Sequence, residues 1–239
     1  KTLQVKPGVA SWRYIYIGNM YTVCQNYNSA LNSHLMKNDE WGAVAYLSKS
    51  KYGKETEEVW INNSSSYITG SAGNSASASS NTGTTNDYTS TQGVKASTTG
   101  NVYGIYDMSG GSWEYVAAYV NNGNGNLTTY GSSLVNGDAK TKNVYTMGSG
   151  DTRLANYNAN ASKYGDAVYE TSSGTYNASG DSSSQSWYAD YSRFPYSTNP
   201  FFIRGGGYSN GSYAGVFAFD YAHGNYGYNV SFRPVLVAL

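Results

Sequence analysis

The chain is poor in cysteine and histidine, which excludes several kinds of chemistry. Cys24 is its only cysteine, so no internal disulfide, dithiol pair or cysteine-based metal cluster can form. We expect this thiol to be a small buried apolar group. The two histidines, His34 and His223, lie far apart and lack the spacing of metal ligands. We therefore expect no cofactor, with a structural calcium ion left open.

Charge is also scarce, at 13% of the residues, and 15 basic side chains balance 15 acidic ones. Proteins that bind nucleic acid or anionic lipid carry a basic surface, so we expect neither partner. No apolar run approaches the roughly 18 residues that cross a bilayer. We expect no membrane insertion by this segment, while a start at Lys1 leaves room for a removed leader or an anchor.

Tyrosine and glycine are abundant instead, with 26 and 28 copies among many Ser, Asn and Thr residues. Antibody paratopes have a similar composition, because Tyr supplies amphipathic contact area with few rotatable bonds and small polar residues supply adaptable hydrogen bonds. Loop-rich extracellular or virion proteins without a binding role share this composition. Composition alone leaves both interpretations open.

Local patterns predict several regular elements. Aromatic and β-branched residues predict a strand over Trp12–Ile17. Asn38-Asp39 predicts the cap of a helix that buries Trp41 and ends before Gly53, and a shorter helix is expected at about 27–36. A turn is expected at Ser109–Gly111, and further strands after it and at 144–147, 201–207, 214–219 and 230–237.

Two polar stretches, at about 62–99 and 121–186, interrupt these elements. Neither contains enough apolar area for a core, and composition does not decide whether they are ordered. The segments around them are each too short to bury a core alone. We therefore expect one domain over residues 1–239 with two insertions.

Catalytic motifs are absent from the sequence. There is no nucleophile elbow, and Gly205-Gly206-Gly207 lacks the lysine and the helix start of a phosphate-binding loop. We expect Arg204 and Arg233 to pin loops to strands through carbonyls or a carboxylate, with Glu114 or Asp107 as the candidate partner. These observations predict a protein that is not an enzyme.

The segment from Tyr208 to Asn229 has an unusual composition around an apolar middle, 214–219, which we expect to be buried. Ten residues flank this middle and share no size, charge or polarity: Tyr208, Ser209, Tyr213, Asp220, Tyr221, Ala222, His223, Tyr226, Tyr228 and Asn229. Replacing the first two bases of an asparagine codon, with its pyrimidine third base kept, can produce all of these residue types. The same rule never produces Lys, Glu, Gln, Met or Trp, and these five types are absent from residues 188–239.

Several motifs together resemble one known group of proteins. They are Gly104-Ile105-Tyr106-Asp107-Met108-Ser109-Gly110, Trp113-Glu114, Arg204-Gly205-Gly206 and Ser231-Phe232-Arg233-Pro234-Val235, with Asn38-Asp39-Glu40-Trp41 before a helix. This set resembles the formylglycine-generating-enzyme branch of the C-type lectin fold. Within that branch, the codon-compatible segment is similar to the variable proteins of diversity-generating retroelements.

The resemblance implies an α+β, C-type-lectin-like fold with a variable ligand-binding region at about 204–235. It implies that the ten residues are displayed for binding, and that a scaffold holds them: Trp113, Glu114, Arg204, Gly205, Gly206, Phe232 and Arg233. It also implies a receptor-binding protein or adhesin on a bacterial cell surface or phage particle, with a protein or glycan of a cell surface as its macromolecular ligand.

Two departures from the family limit what the resemblance implies. The enzyme of this branch uses a reactive cysteine pair near its C-terminus, and Cys24 is far from that place. The Glu-Pro-Asn and Trp-Asn-Asp runs of calcium-dependent lectins are missing, so we expect no calcium-mediated sugar binding. A structural surface or virion subunit, and less so an oxidase-like enzyme, remain the alternatives.

Overall fold

The computed structural model describes residues 2–79, 85–172 and 186–237, and within them the chain is α+β, as predicted. The helices are α1 (Ile17–Gln25), α2 (Asn38–Ser48), α3 (Gly125–Thr129), α4 (Ser132–Val135) and α5 (Arg153–Ala159). The strands are β1 (His34–Leu35), β2 (Ser71–Ala72), β3 (Asn86–Asp87), β4 (Trp113–Asn121), β5 (Asn143–Thr146), β6 (Phe201–Arg204), β7 (Phe219–Ala222), β8 (Val230–Phe232) and β9 (Pro234–Val235).

Strand β4 lies at the centre of a five-stranded sheet. One edge of β4 pairs with β6, which is antiparallel to it, and β6 pairs in turn with β7. The other edge pairs in parallel with two strands, β8 beside its first half and β5 beside its second. Two short antiparallel pairs, β1 with β9 and β2 with β3, lie outside this sheet.

Both faces of β4 are buried, and its residues alternate between two hydrophobic clusters. Val116, Ala118 and Val120 pack in one cluster with Trp41 of α2. The residues between them, such as Tyr115 and Ala117, pack in the other cluster with helix α1. Successive strand residues point to opposite faces, so this alternation follows from the pleat. The sheet is therefore covered by helix α1 on one side and by α2 on the other.

Helix α2 begins and ends close to the predicted positions. The backbone N–H of Lys37 donates to the Glu40 carboxylate at 2.8 Å, and acidic residues in the first turn favour the positive end of the helix dipole. Trp41 is fully buried, and its indole N–H donates to the carbonyl of Val216 at 2.8 Å. This bond ties the helix to the middle of the C-terminal segment.

Two predicted elements near the N-terminus are wrong. Residues 11–16 are irregular, and the backbone N–H groups of Tyr14 and Ile17 donate to carbonyls of Gly227 and Gly224 instead of a strand ladder. The helix expected at 27–36 is replaced by a short 3-10 turn, because Asn32 adopts a left-handed conformation with φ of 46° before β1 begins.

The strand predicted at 214–219 is also wrong, although its burial is correct. Only Phe219 belongs to a strand, and residues 214–218 are buried without strand pairing. The indole of Trp41 and the carboxylate of Asp190 bond the backbone of Val216 and Phe217, at 2.8 and 3.0 Å. Side chains, together with backbone contacts such as the Gly215 N–H to the Gly205 carbonyl at 3.1 Å, thus take the place of a strand ladder.

The polar insertions contain more regular structure than expected. The second, predicted to be irregular at 121–186, contains α3, α4, β5 and α5 with buried Leu127, Leu134 and Tyr145, and its residues 173–185 lie outside the described ones. In the first, at 62–99, residues 80–84 lie outside the description. Its backbone is held by polar side chains, such as Asn62, which donates to Ile68 and Asp107.

Candidate ligand-binding surface

The Arg233–Glu114 pair joins the last strands to the centre of the sheet, as predicted. Two nitrogens of Arg233 donate to the two Glu114 carboxylate oxygens at 2.5 Å, and the same guanidinium donates to the carbonyls of Tyr106 and Asp107. Burial raises the pKa of the Glu114 carboxyl, and the Arg233 guanidinium opposes this shift. All donors but one point to fixed acceptors, so this pair holds β8 and β9 against β4.

Arg204 is a structural residue as expected, but its partners differ from the predicted carboxylates. Its side chain is fully buried and donates to the Asn38 amide oxygen at 3.0 Å and to the carbonyls of Asp166 and Ala167 at 3.2 and 3.3 Å. Burial lowers the pKa of its guanidinium to about 10, and the nearby Asp166 carboxylate opposes that shift. Arg204 therefore ties strand β6 to the second insertion.

The predicted glycines form a tight crossing between β6 and the C-terminal segment. Gly205 and Gly206 have φ of 86° and 79°, a conformation that L side chains rarely adopt. A Cβ on Gly206 would lie closer than 3.0 Å to Ala214. Trp113 and Phe232, the other scaffold residues, are buried in the cluster on the α1 side of the sheet.

The ten codon-compatible residues differ in exposure. Five are exposed: Ser209, Tyr213, His223, Tyr226 and Tyr228. Four are partly buried: Tyr208, Tyr221, Ala222 and Asn229. Asp220 is the exception, since it is only 6% exposed, and the expectation that it is displayed is wrong for its side chain in this chain.

Tyr208 and Tyr228 are connected through Arg13 and Tyr67, which lie outside the ten codon-compatible positions. The ring of Tyr208 meets that of Tyr67 edge-on at 5.0 Å, and the Arg13 guanidinium lies 4.0 Å from the centre of the Tyr67 ring. Arg13 also donates to the carbonyl of Tyr228 at 2.5 Å. Tyr208 and Tyr228 lie on opposite sides of 214–219 in the sequence, and Arg13 and Tyr67 link them in the fold.

Further aromatic residues extend this surface. Tyr16 packs against Tyr226 at 5.3 Å, and Tyr191 packs against Tyr213 at 5.2 Å and Trp113 at 5.9 Å. We use the name tyrosine surface for a set of nine residues: the exposed Tyr14, Tyr16, Tyr213, Tyr226 and Tyr228, the partly buried Arg13, Tyr191 and Tyr208, and the buried Tyr67 that links them. Its N-terminal members were assigned to a strand by sequence, although the density of aromatics at 12–16 was a visible signal.

Strand β7 divides its codon-compatible residues between two faces. Tyr221 pairs in register with Phe202 on the α2 side of the sheet, so its side chain lies on the face opposite to Asp220 and Ala222. Its hydroxyl accepts a hydrogen bond from Arg153 at 2.8 Å, and its ring meets Tyr196 at 5.3 Å. The ten residues therefore do not form a single patch.

A cleft of about 980 Å³ adjoins the tyrosine surface and was not predicted. Residues 2–7, 9–14 and 104–107 line it, together with Glu114, Phe232 and Arg233. Arg13 belongs both to this cleft and to the tyrosine surface. The N-terminal segment thus shapes two neighbouring features of the molecule.

Groups that could perform chemistry are dispersed. Cys24 is fully buried, and burial raises the pKa of its thiol. His34 contacts Glu40 at 2.8 Å and the Asn32 carbonyl at 2.7 Å, whereas His223 is exposed. Across the described ranges there is no group of three or more His, Cys, Asp or Glu residues that could hold a metal ion, and no helix there has the length and apolarity to cross a membrane.

No protein-family model matches this sequence, and a search of curated proteins likewise finds no match.

Proposed function

We propose that this protein is a ligand-binding display protein, a receptor-binding protein or adhesin whose residues 204–235 are diversified by retroelement-directed adenine mutagenesis. One observation carries the proposal. The codon-compatible residues surround the fully buried stretch 214–219, and nine of the ten are at least partly exposed. A segment that tolerates rewriting must confine variation to positions that the core does not need.

The proposal includes a C-type-lectin-like fold of the formylglycine-generating-enzyme type. Support comes from the motifs that carry the resemblance, because they form the internal framework of the sheet. The Arg233–Glu114 pair and the Arg204 contacts use side chains and backbone outside the ten variable positions. Substitution at those positions would leave these bonds in place.

We propose binding without catalysis, to a macromolecule on a cell surface. Tyr213, Tyr226 and Tyr228 present large rings to solvent, and such residues supply most of the binding energy in many interfaces. Ser209, His223 and Asn229 add polar groups beside them. In this proposal the protein acts on a bacterial cell surface or a phage particle.

The gene and its siblings test the diversification. We expect a near-copy of the segment that encodes 204–235, differing from it only at adenines, next to a reverse transcriptase gene. Sibling sequences should vary at the ten positions and keep 214–219 constant. A neighbourhood without either gene element, or siblings that vary evenly across the segment, would exclude this mechanism.

Self-assembly through the same exposed rings is the competing function. Tyr226 and Tyr228 are 53% and 60% exposed, and exposed apolar patches can serve contacts between identical subunits as well as with other partners. Light scattering on the purified protein separates the two. A monodisperse monomer at high concentration supports display, whereas stable oligomers that dissociate on Tyr228→Ala would favour a structural subunit.

A further inference from the structure

Asp220 and Arg193 form an ion pair at the edge of the sheet. Asp220 lies on β7, and the segment that contains Arg193 runs beside this strand, with the Arg193 N–H donating to the Phe219 carbonyl at 3.0 Å. The Asp220 carboxylate binds the Arg193 guanidinium and also accepts the backbone N–H of Tyr221 at 2.8 Å. One cation and one fixed amide therefore surround a single carboxylate.

The remainder of Arg193 is held in place by rings. Its guanidinium lies 4.6 Å from the centre of the Tyr191 ring and 5.5 Å from that of Tyr221. Its Nε is buried and has no hydrogen-bond partner in the part of the chain that the structure describes. Because guanidiniums stack on aromatic faces, we expect these rings to hold the direction of the cation when Asp220 is replaced.

A second guanidinium strengthens the positive potential at this place. Arg153 lies 4.7 Å from the centre of the Tyr221 ring and interacts favourably with the Asp220 carboxylate. The Asp220 side chain is 8% exposed, whereas that of Arg193 is 26% exposed. The Arg193 guanidinium therefore reaches solvent, whereas the Asp220 carboxylate binds it from the buried side.

We infer that Arg193, with the Tyr221 amide, forms an anion-binding site that the carboxylate of Asp220 fills in this chain, and that replacement of Asp220 opens the site to a carboxylate, sulfate or phosphate group. Asp is the one acidic residue that the asparagine-codon rule permits. Every other permitted residue at this position, such as Ser, Ala or Asn, removes the internal anion. The loss leaves the Arg193 guanidinium and the Tyr221 amide without the acceptor that Asp220 supplies in this chain.

If residues 204–235 are diversified, as the proposed function has it, this site would affect which ligands the protein binds. Diversification at one codon would switch this edge of the sheet from a neutralised surface to one that binds acidic ligands. The selectivity would come from a constant arginine that the variable residue covers or uncovers. The anion site itself depends only on the geometry of this chain.

The test measures thermal unfolding of Asp220→Ala with added acetate, sulfate or phosphate, each against sodium chloride at equal ionic strength. We expect saturable stabilisation, with Tm raised by about 3–6 °C at ten times the dissociation constant. The unmodified protein should respond much less, because its own carboxylate fills the site. Asp220→Ala/Arg193→Ala should lose the response.

Two comparisons keep the result decisive. Asp220→Ser, which leaves a smaller polar group, repeats the test if Asp220→Ala is poorly folded. Equal responses in the single and double variants, or in the single variant and the unmodified protein, would overturn the anion site. Failure of the gene-neighbourhood test would remove the diversification and leave these binding results unaffected.

Discussion

Arg233 and Glu114 are separated by 119 positions in the chain and meet through two hydrogen bonds of 2.5 Å. The parallel register of β8 on β4, which places Phe232 beside Tyr115, brings the two residues together. Removing one member leaves the other as an uncompensated buried charge. The pair therefore tests the framework that supports residues 204–235, the segment proposed to vary.

Glu114→Ala should lower the free energy of unfolding by about 3–5 kcal/mol, because Arg233 then keeps its charge in a buried position. Urea denaturation measures the change. The double variant Glu114→Met/Arg233→Met is the matched control and should recover part of the loss, since it leaves no unpaired charge. A cost below about 1 kcal/mol for the single variant would argue against a buried pair.

Gly206→Ala should destabilise the protein through its positive φ and through a clash of the new Cβ with Ala214. Gly123→Ala is the control that has the first effect without the second. Both Gly206 and Gly123 have positive φ, at 79° and 70°, but a Cβ on Gly123 meets nothing within 4 Å. We expect about 1 kcal/mol for Gly123→Ala and a further 1–3 kcal/mol for Gly206→Ala, from its overlap with Ala214. Equal costs would show that the crossing is not tight.

Tyr228→Ala should change the free energy of unfolding by less than about 0.5 kcal/mol, because its ring is exposed and only its carbonyl binds Arg13. Tyr221→Ala should cost about 1–3 kcal/mol, since it removes a ring and a hydroxyl from Arg153. Chemical denaturation of the two variants side by side gives the comparison. A large cost at Tyr228 would contradict its role as a displayed residue.

Glu58 should make stability depend on pH. Burial raises the pKa of its carboxyl to about 7, from an ordinary value of 4.5. A raised folded-state pKa means that the stability contribution is complete below pH 4.5 and is lost as the pH rises through 7. Glu58→Gln stays neutral. Its free energy of unfolding, relative to that of the unmodified protein, should therefore rise by on the order of 1 kcal/mol from pH 5 to pH 8. The same difference in free energy of unfolding between the two proteins at pH 5 and pH 8 would refute the raised pKa.

Local patterns predicted the parts of the fold that depend on local chemistry. Helix α2 has acidic residues in its first turn and a tryptophan that must be buried, and both features can be recognised in the sequence alone. Strand β6 could be predicted for a similar reason, since a short apolar run between turn residues seldom forms anything other than a strand. The scaffold arginines were recognised as structural because guanidiniums between strands usually bind carbonyls or carboxylates.

The irregular segments could not be predicted, because their backbone partners are distant in sequence. Residues 11–16 contain strand-forming residues, yet the N–H groups of Ser11 and Tyr14 bond to the carbonyls of Tyr67 and Gly227. Residues 214–218 are apolar, yet the side chains of Trp41 and Asp190 bond the backbone of Val216 and Phe217. Propensity describes a residue's own preference and cannot identify a side chain that arrives from another element.

The sequence by itself determined which residues are compatible with an asparagine codon, the scarcity of charge and cysteine, and the α+β class. Tertiary structure alone decided which of those residues reach solvent. The pleat of β7 turns Tyr221 and Asp220 to opposite faces, and the position of Arg193 buries the carboxylate of Asp220. Exposure depends on what packs above a residue, and for this segment the packing comes from the N-terminus and from residues 191–193.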